Sequence, residues 1–223
     1  MSDSAPSTEP LLTGDGSYSL YSQTYGEPYH SRHGAISESR HVFIRMGLEA
    51  FLVNSPEQVR ILEMGLGTGL NAWLTALYPL EIPVTYTALE AYPLGASQWQ
   101  ALNYAELAED PNQVFENIHQ AAWYTRVPLT DQFTLEKVHA TLEDFQSPQA
   151  FDVVYFDAFA PNSQPELWTE AVFEKMYGLM APGGLLVTYC AKGAVRRAMQ
   201  AAGFEVERLP GPPGKREMLR ARR

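Results

Sequence analysis

The chain of 223 residues has one cysteine, Cys190. An intrachain disulfide is therefore impossible, and a cysteine-rich metal centre is excluded. Long apolar runs are missing too: none approaches the ~20 residues that a membrane-crossing helix needs. Met1 to Pro10 holds no basic residue and no apolar core, so no secretory leader is read there. Basic charge is scarce, with 16 Lys and Arg against 26 Asp and Glu and a net charge of −10, which speaks against a broad nucleic-acid face. These absences leave a cytoplasmic, globular protein with no membrane contact as the expectation.

The charge is unevenly spread. From Lys192 to Arg223 nine basic residues stand against three acidic ones, a local +6, while the preceding residues sum to −16. A local basic patch is what contacts phosphates. A solvated, charged terminus is the plainer reading of the same stretch. The length suits one large α/β domain.

What is present centres on Arg60-Ile-Leu-Glu-Met-Gly-Leu-Gly-Thr-Gly-Leu-Asn71. Val59 to Leu62 reads as a buried parallel strand, and Leu70 to Leu77 has helical spacing. Between them Gly65, Gly67 and Gly69 form a glycine turn. Such a turn lets a ligand approach the backbone, and the following helix offers free N–H groups. Dinucleotides and S-adenosylmethionine (SAM) both use this arrangement. A dinucleotide fingerprint is G-x-G-x-x-G. Here the spacing is G-x-G-x-G, with Glu63 two residues before the first glycine. An acid repels a pyrophosphate and attracts an ammonium or sulfonium, so the spacing favours SAM.

Along the chain, residues 1–12 read as a disordered tail, and 13–58 as a hairpin or arm followed by a helix interrupted near Gly47. Residues 59–223 form the main domain. Further strands are expected at 83–90, 132–138, 151–157 and 185–190, with helices at about 93–104, 111–122, 165–180 and 192–202. Two last strands, 203–209 and 216–220, flank the turn Pro210-Gly-Pro-Pro-Gly214. Alternating strands and helices give a doubly wound, mostly parallel sheet. Two strands joined by a short turn must be antiparallel. A mostly parallel sheet with a terminal antiparallel hairpin is the class I SAM-dependent methyltransferase (Rossmann-like) variant of the α/β fold.

Ligands of open α/β sheets bind at the carboxyl ends of the strands. Glu63, Glu90 and Asp157 lie at such ends, and Asp144 lies just past the third strand. Glu90 is placed for a ribose diol and Asp144 for an adenine amino group. Glu63, the Gly65–Gly69 backbone and the helix start at Asn71 are placed for the methionine portion. Singly, each acid reads as a loop residue; in order behind a glycine turn they read as a cofactor site. Asp157 opens the run Asp157-Ala-Phe-Ala-Pro161, followed by Gln164-Pro-Glu-Leu-Trp168. An amine must lose a proton before it can accept a methyl group, and a carboxylate can take that proton. Phe159 and Pro161 make a dry rim, with Phe159 free to stack on a base or simply to pack in the core. His30, His33 and His41 have no metal-ligand spacing, so no metal is expected. They are read as bonding a substrate or the N-terminal arm.

At these residues the chain resembles the methyltransferase domain of the bacterial MnmC family and its stand-alone homologues. The matching runs are Glu63 to Asn71, Asp157 to Pro161 with Pro165 to Trp168, and Tyr29-His-Ser-x-x-Gly-Ala-Ile-x-Glu-Ser-x-His-Val-Phe43. The last run, which carries Tyr29 and His30, is not part of the generic fold. The resemblance implies that SAM methylates the primary amine of 5-aminomethyl-(2-thio)uridine at the tRNA wobble position, in the anticodon region. It implies Asp157 as the catalytic acid-base residue. A chain of this length has no room for the FAD-dependent domain of the bifunctional relatives. It is therefore expected to need the aminomethyl substrate ready-made, and a separate FAD-dependent oxidase stays open as a partner. Two other readings remain: a methyl- or aminopropyltransferase for a small amine, and a non-catalytic nucleotide-binding or scaffold protein.

Overall fold

The computed structural model describes residues 6–223. An eight-stranded, mostly parallel sheet carries the chain. Its centre is β4 (Val59–Met64), flanked by β5 (Val84–Glu90) and β8 (Phe151–Phe156), both parallel to it. Next to β5 lies β7 (Phe133–His139), and next to β8 lies β9 (Met180–Thr188), again parallel. β8, Phe-Asp-Val-Val-Tyr-Phe, is buried along its whole length, as a strand covered on both faces must be. At the strands' amino ends Arg60 clamps Asp152 across β4 and β8, with Nε 3.1 Å from Oδ2 and Nη2 3.2 Å from Oδ1.

The expected terminal hairpin is β10 (Glu205–Pro210) with β11 (Glu217–Arg222). β11 slots between β10 and β9, antiparallel to each. Two of the nine basic residues of the tail are paired here. Arg220 binds Glu207 at 2.6 Å, and Arg208 lies 3.5 Å from Glu217. At the other edge a short antiparallel strand, β6 (Arg126–Pro128), pairs with β7. Nothing in its three residues stands out from a loop.

Strand alternation divides the core between the two faces. Val59, Ile61, Tyr86 and Tyr155 pack under the helices Leu70–Ala76 and Val114–Gln120. Leu62, Met64, Val154 and Phe156 pack under the helices Glu170–Leu179 and Gly193–Ala201. The first face also carries the long helix from Ala35 to Leu52, whose Arg40–Glu49 part is π-helical. This helix is not interrupted at Gly47. The glycine is where the helix meets the sheet: a Cβ there would sit 2.9 Å from Val187 Cγ2 and 3.3 Å from Tyr155 Cε1.

The N-terminal extension differs from expectation in one respect. Residues 8–12 were to fall in a disordered tail; they form β1 (Thr8–Leu12), antiparallel to β2 (Tyr18–Ser22), which also pairs with β3 (Glu27–Pro28). Residues 1–5 of that expected tail lie outside the described residues. A polar segment with Pro10 suffices because an edge strand needs backbone pairing along one side only. Gln98 also ties it down, its Nε2 donating to Pro6 O and Thr8 Oγ1, both at 2.6 Å. Asp15 fastens the β1–β2 turn to the long helix by accepting from Ser37 N at 2.8 Å. Asn103 grips the same turn, accepting from Tyr18 N at 2.7 Å and donating to Gly16 O at 3.0 Å. The helix expected at 93–104 is accordingly two short pieces, Ala96–Trp99 and Tyr104–Leu107, separated by the stretch that holds Asn103.

Candidate active site

A cavity of about 980 Å³ opens at the carboxyl ends of β4, β5 and β8. Its floor is the glycine turn. Gly65 has φ 85° and Gly67 φ 49°, conformations that side chains resist. A Cβ on Gly65 would come within 3.2 Å of Asp157 O, and one on Gly67 within 3.1 Å of the Tyr29 ring. Glu90 enters from the end of β5. Its Oε2 accepts from Gly67 N at 2.8 Å and its Oε1 from Tyr92 N at 2.7 Å. Burial pushes its pKa upward, and those backbone donors oppose the rise.

Asp157 follows β8, its N–H continuing the ladder to Met64 O at 3.2 Å. It is half-buried and lines the cavity. Burial pushes its pKa up from 3.8 to about 7, helped by the charge of Glu38 and opposed by the Asn71 amide and the Lys215 ammonium.

The roof comes from two distant segments. Tyr25, in the β2–β3 turn, stacks on Phe159 with centroids 4.2 Å apart and rings at 24°. Tyr29 meets Phe159 edge-on at 4.9 Å. Gln164 Nε2 reaches the Tyr25 hydroxyl at 3.5 Å. His30 pins this arm to the glycine turn, its Nε2 2.6 Å from Thr68 Oγ1. Burial lowers its pKa to about 4, with Lys215 adding to the fall, so the ring is neutral at pH 7. Tyr189 closes one side, its hydroxyl donating to Ala158 O at 2.8 Å. Behind it Lys215 lies 3.8 Å from the Tyr189 ring centroid and 2.9 Å from Glu38 Oε2.

Of the residues nominated from sequence, Gly65, Gly67, Glu90, Asp157, Phe159, Tyr29 and His30 line this cavity. The others do not. Glu63 is wholly buried, because it shares strand parity with Ile61 and therefore points under the helices rather than into the cleft. Asn71 is 2% exposed and lies beside it. Gly69 caps the helix and faces His119. Asp144 is exposed and turned back to accept from the Thr141 hydroxyl at 2.8 Å, while Glu143 lines the wall in its place. Pro161 lies outside the lining. The carboxylates thus do not form one row: two face the cavity, one is beneath it and one points away. Sequence reasoning missed Tyr25, Gln164 and Tyr189. A tyrosine beside Gly26 was the sole visible signal for the first of them.

The cavity, the glycine cradle that a Cβ would fill and the inward Glu90 carboxylate fit SAM. A family model described as S-adenosyl-L-methionine-dependent methyltransferase matches residues 105–223, and the chain belongs to that family. Within it the likeness is to MnmC. The chain is 33% identical over 211 residues to the Chromobacterium violaceum "tRNA 5-methylaminomethyl-2-thiouridine biosynthesis bifunctional protein MnmC", covering 88% of this chain and 32% of that one. It thus spans about a third of the length of the curated relatives it matches. The crystal structure of MNMC2 from Aquifex aeolicus superposes with a TM-score of 0.80 at 26% identity, over 97% of this chain and 70% of that chain. A spermidine synthase from Thermotoga maritima, at 14% identity and a TM-score of 0.57 over 98% of this chain and 69% of that chain, shares the fold. Among the described residues no helix is long and apolar enough to cross a membrane.

Proposed function

We propose that this chain transfers a methyl group from SAM to the primary amine of 5-aminomethyluridine, or its 2-thio form, at the tRNA wobble position. The product is 5-methylaminomethyl-(2-thio)uridine. The observation that carries this reading is the Asp157 carboxyl, half-buried, opening on a cavity between a glycine turn and an aromatic roof. The MnmC likeness supports the choice of nucleoside.

Glu90 and the Gly65–Gly67 backbone are the groups that would hold the donor. At neutral pH the substrate amine arrives as an ammonium without a lone pair. Ionised Asp157 takes one proton from it, leaving a neutral amine and a carboxylic acid. Bound SAM supplies a sulfonium methyl that the freed lone pair takes, the carbon–sulfur electrons staying with sulfur. The product leaves as a secondary ammonium, and Asp157 returns its proton to solvent. A pKa near 7 suits a group that must accept and release a proton in each cycle. Tyr25, Tyr29 and Phe159 are the surfaces for a base turned out of the anticodon loop. The aminomethyl group is made at another active site, which we assign to an FAD-dependent oxidase acting as a partner in the cytoplasm.

Labelled SAM and tRNA lacking the modification test the assignment. Digestion to nucleosides should place the label in the 5-methylaminomethyl group of the wobble base. Label that never reaches that base defeats the assignment. Raising the salt concentration separates tRNA from a small amine, since a polyanion complex weakens steeply with salt.

A further inference from the structure

Glu63, on β4, and Asp157, just past the end of neighbouring β8, point to the same face of the sheet, close enough to share one amide. The Asn71 Nδ2 donates to Glu63 Oε1 at 2.9 Å and to Asp157 Oδ2 at 2.8 Å. The Asn71 Oδ1 accepts from the Ser39 hydroxyl. The amide orientation follows from its neighbours: its two hydrogens lie where two carboxyl groups need donors, and its oxygen lies where a hydroxyl can donate. Turned the other way, it would face both carboxyls with an acceptor. Ser39, Glu63 and Asn71 are all buried, and none of the three lines the cavity.

We propose that Asn71, braced by Ser39 and anchored on Glu63, is the positioning residue that holds one oxygen of Asp157 and turns the other toward the cavity. This rests on the reading of Asp157 as the proton acceptor. The choice of a neutral donor is chemically pointed. An arginine or lysine in the same place would also hold the carboxylate, but its charge would keep Asp157 ionised and end its exchange of protons. An amide steers the group and leaves its titration available. Glu63 supplies a fixed anchor: it is wholly buried, among the described residues its Oε2 has no hydrogen-bond partner, and burial raises its pKa well above the usual carboxyl range. Several charged or titratable groups act on Asp157. Glu63 and Tyr86 lie beneath it, Glu38 and Lys215 beside it on the long helix and the β10–β11 turn, Tyr189 across the cleft, and Tyr104 in the core against Trp73.

The test reads Asp157 directly, by carbon-13 NMR titration of aspartate-labelled protein, the signal identified by its loss in Asp157→Asn. No substrate is needed. In Asn71→Ala the Asp157 midpoint should move up. Methyl transfer should fall by on the order of 10²-fold, as for a group misplaced by about 1 Å. The acid limb of kcat/KM should move with the midpoint, and the Kd for SAM should stay within about threefold, since Asn71 does not line the cavity. Ser39→Ala should act in the same direction and less, and Ser39→Thr, which keeps the hydroxyl, should recover wild-type titration. An unmoved midpoint with full turnover overturns the proposal. So does loss of SAM binding, which would make Asn71 a cofactor ligand. Should Asn71→Ala fail to fold, the Ser39 pair decides: identical titrations in Ser39→Ala and Ser39→Thr overturn it. A wild-type protein that never methylates the wobble base removes the substrate assignment, and the NMR titration still judges Asn71.

Discussion

The floor and the roof of the cavity are built by opposite means. The floor is mostly backbone: strand ends, left-handed glycines and a carboxylate fastened to main-chain N–H groups. The roof is mostly side chain: Tyr25 flat on Phe159, Tyr29 against its edge, the parts drawn from a small sheet and a distant loop. A floor of this kind tolerates little change, because each glycine sits against something a methyl would strike. A roof of rings can repack. On our proposed reading, donor binding and proton transfer belong to the floor and choice of substrate to the roof.

The largest expected effect breaks the floor. Asp157→Asn keeps the shape and removes the proton acceptor, so turnover should drop by about 10²–10⁴-fold in single-turnover assays. The same variant should be more stable above pH 7. Burial raises the Asp157 pKa from 3.8 to about 7. The unfolded chain therefore releases this proton before the folded one does, and stability is lost as pH rises across that interval. Tm should rise in Asp157→Asn above pH 7 and stay level with wild type below pH 3.8. Next, Glu90→Ala removes an acceptor from the donor site. Losing hydrogen bonds to a charged group, about 1.5–3 kcal/mol, should weaken SAM binding roughly 10- to 100-fold by calorimetry, with tRNA affinity unchanged. The roof should answer in reverse. Phe159→Ala should cost about 1–3 kcal/mol of RNA binding, read as a higher KM for tRNA, and leave the Kd for SAM alone. The smallest effect sharpens the comparison. His30 has its pKa lowered from 6.5 to about 4, so acid favours the unfolded chain over that range, opposite in sign to Asp157. His30→Asn should cost about 1 kcal/mol at pH 7 and flatten the loss of stability toward pH 4.

The floor was legible because its signals are local. Val59 to Leu62 is an apolar run, the glycines announce a turn, and Asp157 ends a strand buried throughout. What failed there was parity. Glu63 ends on an apparent strand tip but is one residue short of it, and alternation with Ile61 sends it under the helices. Asp144 failed for another reason: a short polar side chain beside Thr141 satisfies itself locally. The roof was legible in membership and not in arrangement. Tyr29, His30 and Phe159 were named, but the stack of Tyr25 on Phe159 depends on how an arm folds back across the sheet, which no local pattern encodes. β1 and β6 escaped because edge strands need neither apolar alternation nor length. Asn71 looked like part of a ligand motif, and its two carboxyl partners are neighbours in space alone.

Gly47 lies two turns along the helix from Ser39 and rests directly on Val187 and Tyr155. The gap between that helix and the sheet, and with it the reach from Ser39 to Asn71, is set by the thickness of a hydrogen atom at a point remote from any substrate. An added methyl would work there as a shim, tilting the bracket that on our proposal sets the Asp157 carboxyl, without replacing any residue that lines the cavity.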